Sequence, residues 1–377
     1  MLKIASIVLN NFKNDSRVLK TNISLQNAGY CVEVIALWEE GVDEFETIQN
    51  VPVHRVKLKS KNWSKNKLVQ LVKYFELMYI VVKKYKNSDV FHCNDLNALP
   101  IGVLVKLFFN QKMKIVYDAH EYETEINGLD GVQKKATKLL EKLLIKYTSR
   151  VICVSDAIAN EYVKLYNIKK PDLVLNTPIY QEVEKKDIFR ETFNIPKEKT
   201  IFLYQGGLSS GRGIEILLET LKTIGNKNVV IVFMGYGPLE SLVKDAANEY
   251  DNIYFHNAVS PEVLLNYTSS ADFGILFYEN NCLNHYYCSP NKMFEYIMAG
   301  IPVIASNLYE MKRLVKNNKI GVVAPQNTVQ GLRVAIEEAV KLNKQELQEN
   351  LQRVKEIYNW KEQEKILLKL YRALYED

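Results

Sequence analysis

Cysteine is scarce. There are five, at 31, 93, 153, 282 and 288, an odd number with no Cys-x-x-Cys pair. That composition excludes a disulfide framework and leads us to expect reduced thiols in a cytoplasmic protein. The five histidines do not group with the cysteines, so no zinc site is expected. No apolar run approaches the roughly 18 residues of a membrane-crossing helix. The start, Met1 to Val8, runs straight into an apolar strand pattern, without the basic lead of a secretory leader. There is no Gly-Lys-Ser/Thr, hence no P-loop. Low-complexity tracts and short repeats are missing too. Net charge is only +5, too little to imply a nucleic-acid partner.

What is present is a repeated alternation. In 377 residues, 47% of them apolar, two domains are expected. Strand-like runs rich in Val, Ile and aromatics fall at 3–10, 31–37, 51–58, 89–93, 114–119 and 150–155. Helical spacings lie between them, as in Leu68, Leu71, Val72, Phe75, Met78, Val82 and Tyr85, or Leu139, Leu140, Leu143, Leu144 and Tyr147. A polar stretch at 182–187 reads as a linker, and the alternation then restarts at 200–205, 229–234, 252–255, 271–277, 302–306 and 320–324. The expected fold class is α/β: two Rossmann-like domains, 1–183 and 184–357, facing each other across a cleft, with a strong amphipathic helix in 358–377. Ligands bind such sheets at the carboxyl ends of the strands, so the loops there should carry the chemistry.

Four loops stand out. Residues 204–214 follow an apolar strand and lead into a helical pattern. Gly206, Gly207, Gly211 and Gly213 let backbone approach a ligand, and Arg212 adds a positive charge beside helix N–H groups: a phosphate site. Next, Ser289 reads as an N-cap and Pro290 as the first residue of a helix, with Lys292 beside the free N–H groups and Glu295 further along to accept ribose hydroxyls. The third loop places Asp118, His120 and Glu121 at a strand end, where His120 is either a catalytic group or a structural one. The fourth follows the first strand. Asp15 and Ser16 look like helix-start residues, while Arg17 either belongs to that helix or faces the cleft. Asn94 and Asp95 likewise either cap the helix 96–108 or serve the site.

At these residues the chain resembles a retaining glycosyltransferase of family 4, with the GT-B fold. The matching pieces are 206–214, 233–238, 254–259, 271–275 and 290–304, with 118–121, 151–155 and 175–178 in the first half. The helix beginning at Trp360 fits a fold whose last helix crosses back to the first domain. The resemblance implies that Arg212 binds the diphosphate of a UDP- or GDP-linked sugar and that Glu295, the second glutamate of Glu-x7-Glu, holds the ribose. It implies that His120 lies beside the transferred sugar and that backbone at Gly235 and from Asn257 to Val259 cradles the base. Arg17, Asp95, Asp118 and Glu121 are then candidates on the acceptor side. Two positions depart from the family pattern. Tyr287 stands where the first glutamate of Glu-x7-Glu belongs, and Gly207 where an arginine usually precedes the basic residue. Lys292 is expected to replace that charge, with Ser289 alongside it on the donor, and Tyr287 or Asn291 to touch the sugar.

No Asp-x-Asp occurs, so no metal and no cofactor are expected. Arg212, Lys292 and a helix N-terminus would stabilise the leaving diphosphate instead. The resemblance implies front-face attack with retention, the departing phosphate accepting the acceptor's proton. The form Ser-Pro-Asn-Lys at 289–292 resembles members that build bacterial surface polysaccharides, so the acceptor is expected to be a glycan or lipid-linked. Competing readings are a nucleotide-sugar epimerase of the same fold, using Asp95, Asp118 and Glu121, and an inactive partner subunit, suggested by Gly207 and Tyr287. Finally, Arg55, Lys57, Lys59, Lys61, Lys65, Lys67, Lys73, Lys83, Lys84 and Lys86 are opposed only by Glu76. Around Trp63 this stretch suits peripheral contact with an anionic membrane, at the inner face for a cytoplasmic protein; without an aromatic-basic platform it does not suit nucleic acid.

Overall fold

A parallel strand covered on both faces must be apolar at every position, and the uninterrupted Val/Ile/Phe runs meet that demand. The computed structural model describes residues 1–376. In the first unit the strands are β1 (Lys3–Ile7), β2 (Cys31–Leu37), β3 (Phe45–Ile48), β4 (Val51–Val56), β5 (Val90–Asn94), β6 (Lys114–Ala119), β7 (Arg150–Cys153) and β8 (Asp172–Leu173). They form one sheet in the order β3-β4-β2-β1-β5-β6-β7-β8, parallel except for β3. In the second unit β9 (Thr200–Gly207), β10 (Val229–Tyr236), β11 (Ile253–Asn257), β12 (Phe273–Leu276), β13 (Val303–Ala305) and β14 (Gly321–Val323) form an all-parallel sheet in the order β11-β10-β9-β12-β13-β14. Leaving out the edge strands β3 and β8, both sheets have the doubly wound order 3-2-1-4-5-6. The order reverses between β1 and β5 in one unit and between β9 and β12 in the other, so those are the points where loops part and a ligand can enter.

All twelve expected strands are present; β3 and β8 are additional. β3 pairs antiparallel with β4 through a two-residue turn, Gln49 and Asn50, both with positive φ. That is the type I′ geometry, reached here without the usual Asn-Gly signal. The division between units also differs from the expected one. The first unit comprises Met1–Val174 and the residues from Glu364 onward, the second Leu175–Gln363. Residues 175–183, expected in the first domain, lie in the second unit: Leu175 packs on the second core and Tyr180 and Val183 pack against Leu265 and Met298. The last helix, Trp360–Ala373, belongs to both units. Its Tyr371 is buried, edge-on to Tyr30 and hydrogen-bonded to His92 Nδ1 at 2.6 Å.

The second sheet is covered on both sides. Ile201 and Leu203 enter one core cluster, Phe202 and Tyr204 the other. The helix Asn291–Met298 is pressed flat on this sheet because Gly274 leaves room for a ring. A Cβ there would lie 2.4 Å from the Tyr296 ring. The Tyr296 hydroxyl donates to Leu203 O at 3.0 Å and accepts from Gln205 N at 3.2 Å. That suture fixes where Lys292 and Glu295 stand.

Candidate functional site

In the second unit, β9, β10 and β11 end in step. Gly206 pairs with Gly235, and Gly235 with Asn257. Gly206 has φ +109, closed to most side chains, and its missing Cβ would lie 3.7 Å from Lys292 Nζ. Gly207 lacks a Cβ at 3.4 Å from Arg212 Nη1. Two cations from different elements therefore converge on the glycine pair that ends β9. Arg212 precedes the helix Ile214–Thr223, whose N-cap is Gly213 in the left-handed region. The guanidinium stands 5.9 Å from the Tyr278 ring centroid.

Lys292 is the most constrained of these groups. It is buried, its Nζ lies 3.9 Å from the Tyr204 ring centroid, and no hydrogen-bond acceptor reaches it. Burial first, and then the nearby Arg212, bring its pKa down to about 7. A buried ammonium without an acceptor is costly unless an anion completes it. Glu295 accepts from Gln205 Nε2 at 2.5 Å, and Gln205 Oε1 accepts from Thr268 at 2.8 Å. Gln205 and Thr268 were not among the expected site residues; a lone glutamine closing an apolar strand was the available signal.

Several expected details change. The helix expected to start at Pro290 starts at Asn291, with Pro290 in the cap position and Ser289 buried before it. Asn291 is exposed at the helix start. Gly235 is required by packing, since a Cβ would strike Gly206 O at 1.9 Å. Gly213 answers to Phe277 O in the same way. Asn257 is exposed at the end of β11, and Val259 packs half-buried on the core. Tyr287 closes the short helix Leu283–Tyr287 against Tyr286 and Tyr309.

In the first unit a charged cluster sits at the ends of β1, β5 and β6. Asp118 is buried, with Arg17 Nη2 at 2.6 Å and Nε at 3.3 Å, while Arg17 Nη1 donates to Val174 O at 2.9 Å. His92 Nε2 and His120 Nε2 each lie 3.4 Å from Asp118 Oδ2. His120 Nδ1 is 3.4 Å from Asp95 Oδ1, and the His120 side chain is 17% exposed. Burial alone would raise the Asp118 pKa; Arg17, His120 and His92 outweigh it and hold the carboxyl well below its usual range. Burial alone would lower His120; Asp118 and Asp95 outweigh it and raise the imidazole above its ordinary value. Beside them, burial and Asp95 raise the Glu123 carboxyl well above its usual range.

Two acceptor-side expectations are thereby corrected. Arg17 does not face solvent; it is the buried counter-ion of Asp118, and Asp15 alone caps its helix, accepting from Val18 N at 3.1 Å. Asp118 is equally buried and reaches other groups only through His120, His92 and Arg17. Asp95 remains partly exposed, at φ +63, and Glu121 is exposed. The helix after β5 runs Leu99–Phe108 and has no side-chain cap, so Asn94 and Asp95 do not cap it. Asn94 instead ties β5 to β1 through Ile7 O at 3.0 Å. His92, unforeseen, joins Asp118 to Tyr371. Arg55 leaves the basic stretch: it is buried, donating to Glu46, Asp43 O and Asn11 O.

Residues 185–357 match the family described as glycosyl transferases group 1, and residues 19–176 match Glycosyltransferase Family 4. Each unit thus carries its own half of one kind of enzyme. The chain is a glycosyltransferase of the GT-B fold. An uncharacterized glycosyltransferase of Methanocaldococcus jannaschii is 24% identical over 79% of the chain and 78% of its own length. The chitobiosyldiphosphodolichol beta-mannosyltransferase of Candida albicans is 23% identical over 71% of the chain and 64% of its own length. In fold, the transferase is similar to the sucrose-phosphate synthase of Thermosynechococcus elongatus, with a TM-score of 0.82, 19% identity and full coverage of both chains.

Proposed function

We propose that the enzyme transfers a sugar from a UDP- or GDP-linked donor to a glycan or lipid-linked acceptor in cell-surface polysaccharide synthesis, with retention and without a metal or cofactor. The observation that carries the donor reading is Lys292: a buried ammonium without an acceptor, beside Gly206 and near Arg212, at the end of β9. A diphosphate supplies the missing acceptors, and the two cations stabilise its negative charge as the sugar leaves. Glu295, held by Gln205, accepts the ribose hydroxyls. The departing phosphate accepts the acceptor's proton as the new glycosidic bond forms, so no protein nucleophile is needed. The name of the Candida albicans relative contains a lipid diphosphate, which supports a lipid-linked acceptor. A panel of nucleotide sugars, read by released nucleotide, is expected to show slow hydrolysis of one donor even without acceptor. That activity should survive EDTA, and the anomeric configuration of the product, read by NMR, should match the donor's. Restoration of EDTA-abolished turnover by Mn²⁺ would overturn the metal-free mechanism.

Nucleotide affinity should also report Lys292 directly. A bound diphosphate favours the ammonium, so above about pH 7 binding must take up a proton and affinity should fall by up to about tenfold per pH unit. Lys292→Met should weaken binding and flatten that slope. Arg212→Ala and Glu295→Ala should each weaken it by roughly 1.5–3 kcal/mol. Calorimetry with UDP and GDP measures all three, and unchanged affinity in both alanine variants would remove the site from this loop.

The reading extends to the membrane. Among the described residues no helix is long and apolar enough to cross one. Residues 57–66 form a loop tied to the following helix, Lys67–Tyr85, by Glu76, which accepts from Lys59 N at 2.7 Å and Ser60 N at 3.1 Å. Lys57 and Lys61 clasp Trp38, while Lys59, Lys65 and Lys67 are exposed and Trp63 is 56% exposed. Such a loop suits salt-sensitive contact with an anionic bilayer, where a lipid-linked acceptor resides.

A further inference from the structure

The helix Gly131–Leu144 is built inside out. Its apolar residues Val132, Ala136, Leu139, Leu140 and Leu143 recur at helical spacing and form a single stripe. Such a stripe normally faces the core. Here Leu139, Leu140 and Leu143 are 58%, 43% and 49% exposed, and the only buried residue of the helix is Glu141. The carboxylate of Glu141 accepts hydroxyls from Tyr117 and Tyr162, each at 2.7 Å, and from Tyr166. Two buried tyrosines and the half-buried Tyr166 therefore hold the helix by its polar side and turn its leucines outward.

The same side of the domain continues the pattern. The helix Lys67–Tyr85 buries only Leu77, Val81, Val82 and Tyr85, all in its second half. Leu68, Leu71 and Phe75 in its first half are exposed. The helix Leu99–Phe108 touches both of these helices. Each of the two exposed helices follows a parallel strand, so each begins at the carboxyl edge of the sheet, the edge that carries His120.

We propose that the helix Gly131–Leu144 lies in the plane of an anionic bilayer, with Leu139, Leu140 and Leu143 inserted among the acyl chains, and that it supplies a salt-resistant anchor distinct from the lysine loop. Charge selects this occupant. Lys135, Lys142 and Lys146 are exposed around the stripe, and Lys134 and Lys138 stand on its buried flank against Glu125. A second copy of the helix would set lysines against lysines, whereas anionic headgroups match them and acyl chains match the leucines. The assignment rests on the lipid-linked acceptor only for its purpose; the exposed stripe stands on its own geometry.

The test uses the full chain and vesicles of phosphatidylglycerol and phosphatidylcholine in equal parts. In about 0.5 M NaCl, where exposed charges are largely screened, wild type is expected to sediment with the vesicles. Combined Leu139→Gln, Leu140→Gln and Leu143→Gln should reduce that partition by roughly 100-fold. Because these side chains are exposed, thermal melting and UDP or GDP affinity should stay as in wild type, which separates loss of the anchor from misfolding and from failure of the donor site. Exchanging Lys59, Lys65 and Lys67 for Gln should remove only the low-salt component. A second readout is Leu139→Trp, whose emission should shift to the blue on vesicles and be quenched by acyl-chain bromine. Wild type left in the supernatant at high salt, or a triple variant that binds like wild type, overturns the proposal. So does a lipid-free dimer that the triple variant converts to monomer, since a second copy would then cover the face.

Discussion

His120→Ala should lower turnover by about 10²–10⁴-fold, the range for loss of a positioned acid–base group, while UDP or GDP affinity stays within twofold of wild type. The imidazole stands between two carboxylates, Asp118 and Asp95, at 3.4 Å on either ring nitrogen. Their charges raise its pKa above the ordinary value, which favours the protonated imidazole that can donate to a substrate oxygen. It is partly exposed, whereas Asp118 is not, so unlike Asp118 it can reach a sugar. The nucleotide ligands proposed here, Arg212, Lys292 and Glu295, all belong to the other unit, which is why the substitution should separate turnover from binding. Activity of the wild type should decline as pH rises through the raised imidazole pKa. Initial rates at saturating donor, with calorimetry on the same samples, check both halves; nucleotide affinity falling in parallel with turnover would move His120 out of the catalytic role.

Asp118→Ala should destabilise the first unit by about 3–5 kcal/mol, the cost of leaving a buried charge without its partner. Arg17 would keep its bond to Val174 O but lose both contacts to the carboxylate. Arg17→Met should cost a similar amount, and Arg17→Met combined with Asp118→Leu should recover much of it, because neither charge then remains. The pH dependence follows from the direction of the shift. The folded carboxyl titrates well below its unfolded value, so its stabilisation is fully present above the ordinary carboxylate pKa of about 3.9 and is lost as pH falls through the folded value. Urea denaturation at neutral and acid pH measures this. A denaturation midpoint unchanged in Asp118→Ala would show that the pair carries no net stability.

The residues proposed to carry the donor chemistry were legible because they follow strands. Glycines after a buried apolar run, joined to Arg212, have few structural uses other than backbone approach to a ligand. Lys292 and Glu295 were legible by their place on a helix that starts next to such a loop. Burial was not. Nothing in the order of residues marks Lys292 as a buried ammonium over Tyr204, because that depends on Tyr296 lying flat on Gly274, two segments about twenty residues apart brought together by the sheet. Arg17 and Asp118 were both visible as polar residues at strand ends. That they neutralise each other and are both buried beneath His120 depends on β1 and β6 lying in one sheet with β5 between them.

By itself the sequence determined two doubly wound α/β units and the kind of enzyme, and it marked the loops proposed to bear the chemistry, since strands buried on both faces must be apolar throughout and phosphate loops are glycine-rich. Only the tertiary structure decided which way an apolar stripe points. The spacing of Leu139, Leu140 and Leu143 is the same whether the stripe packs inward or faces out, for periodicity is a property of one helix and burial a property of its neighbours. Here the neighbours are Tyr117, Tyr162 and Tyr166, whose hydroxyls bind Glu141 and leave the leucines on the surface.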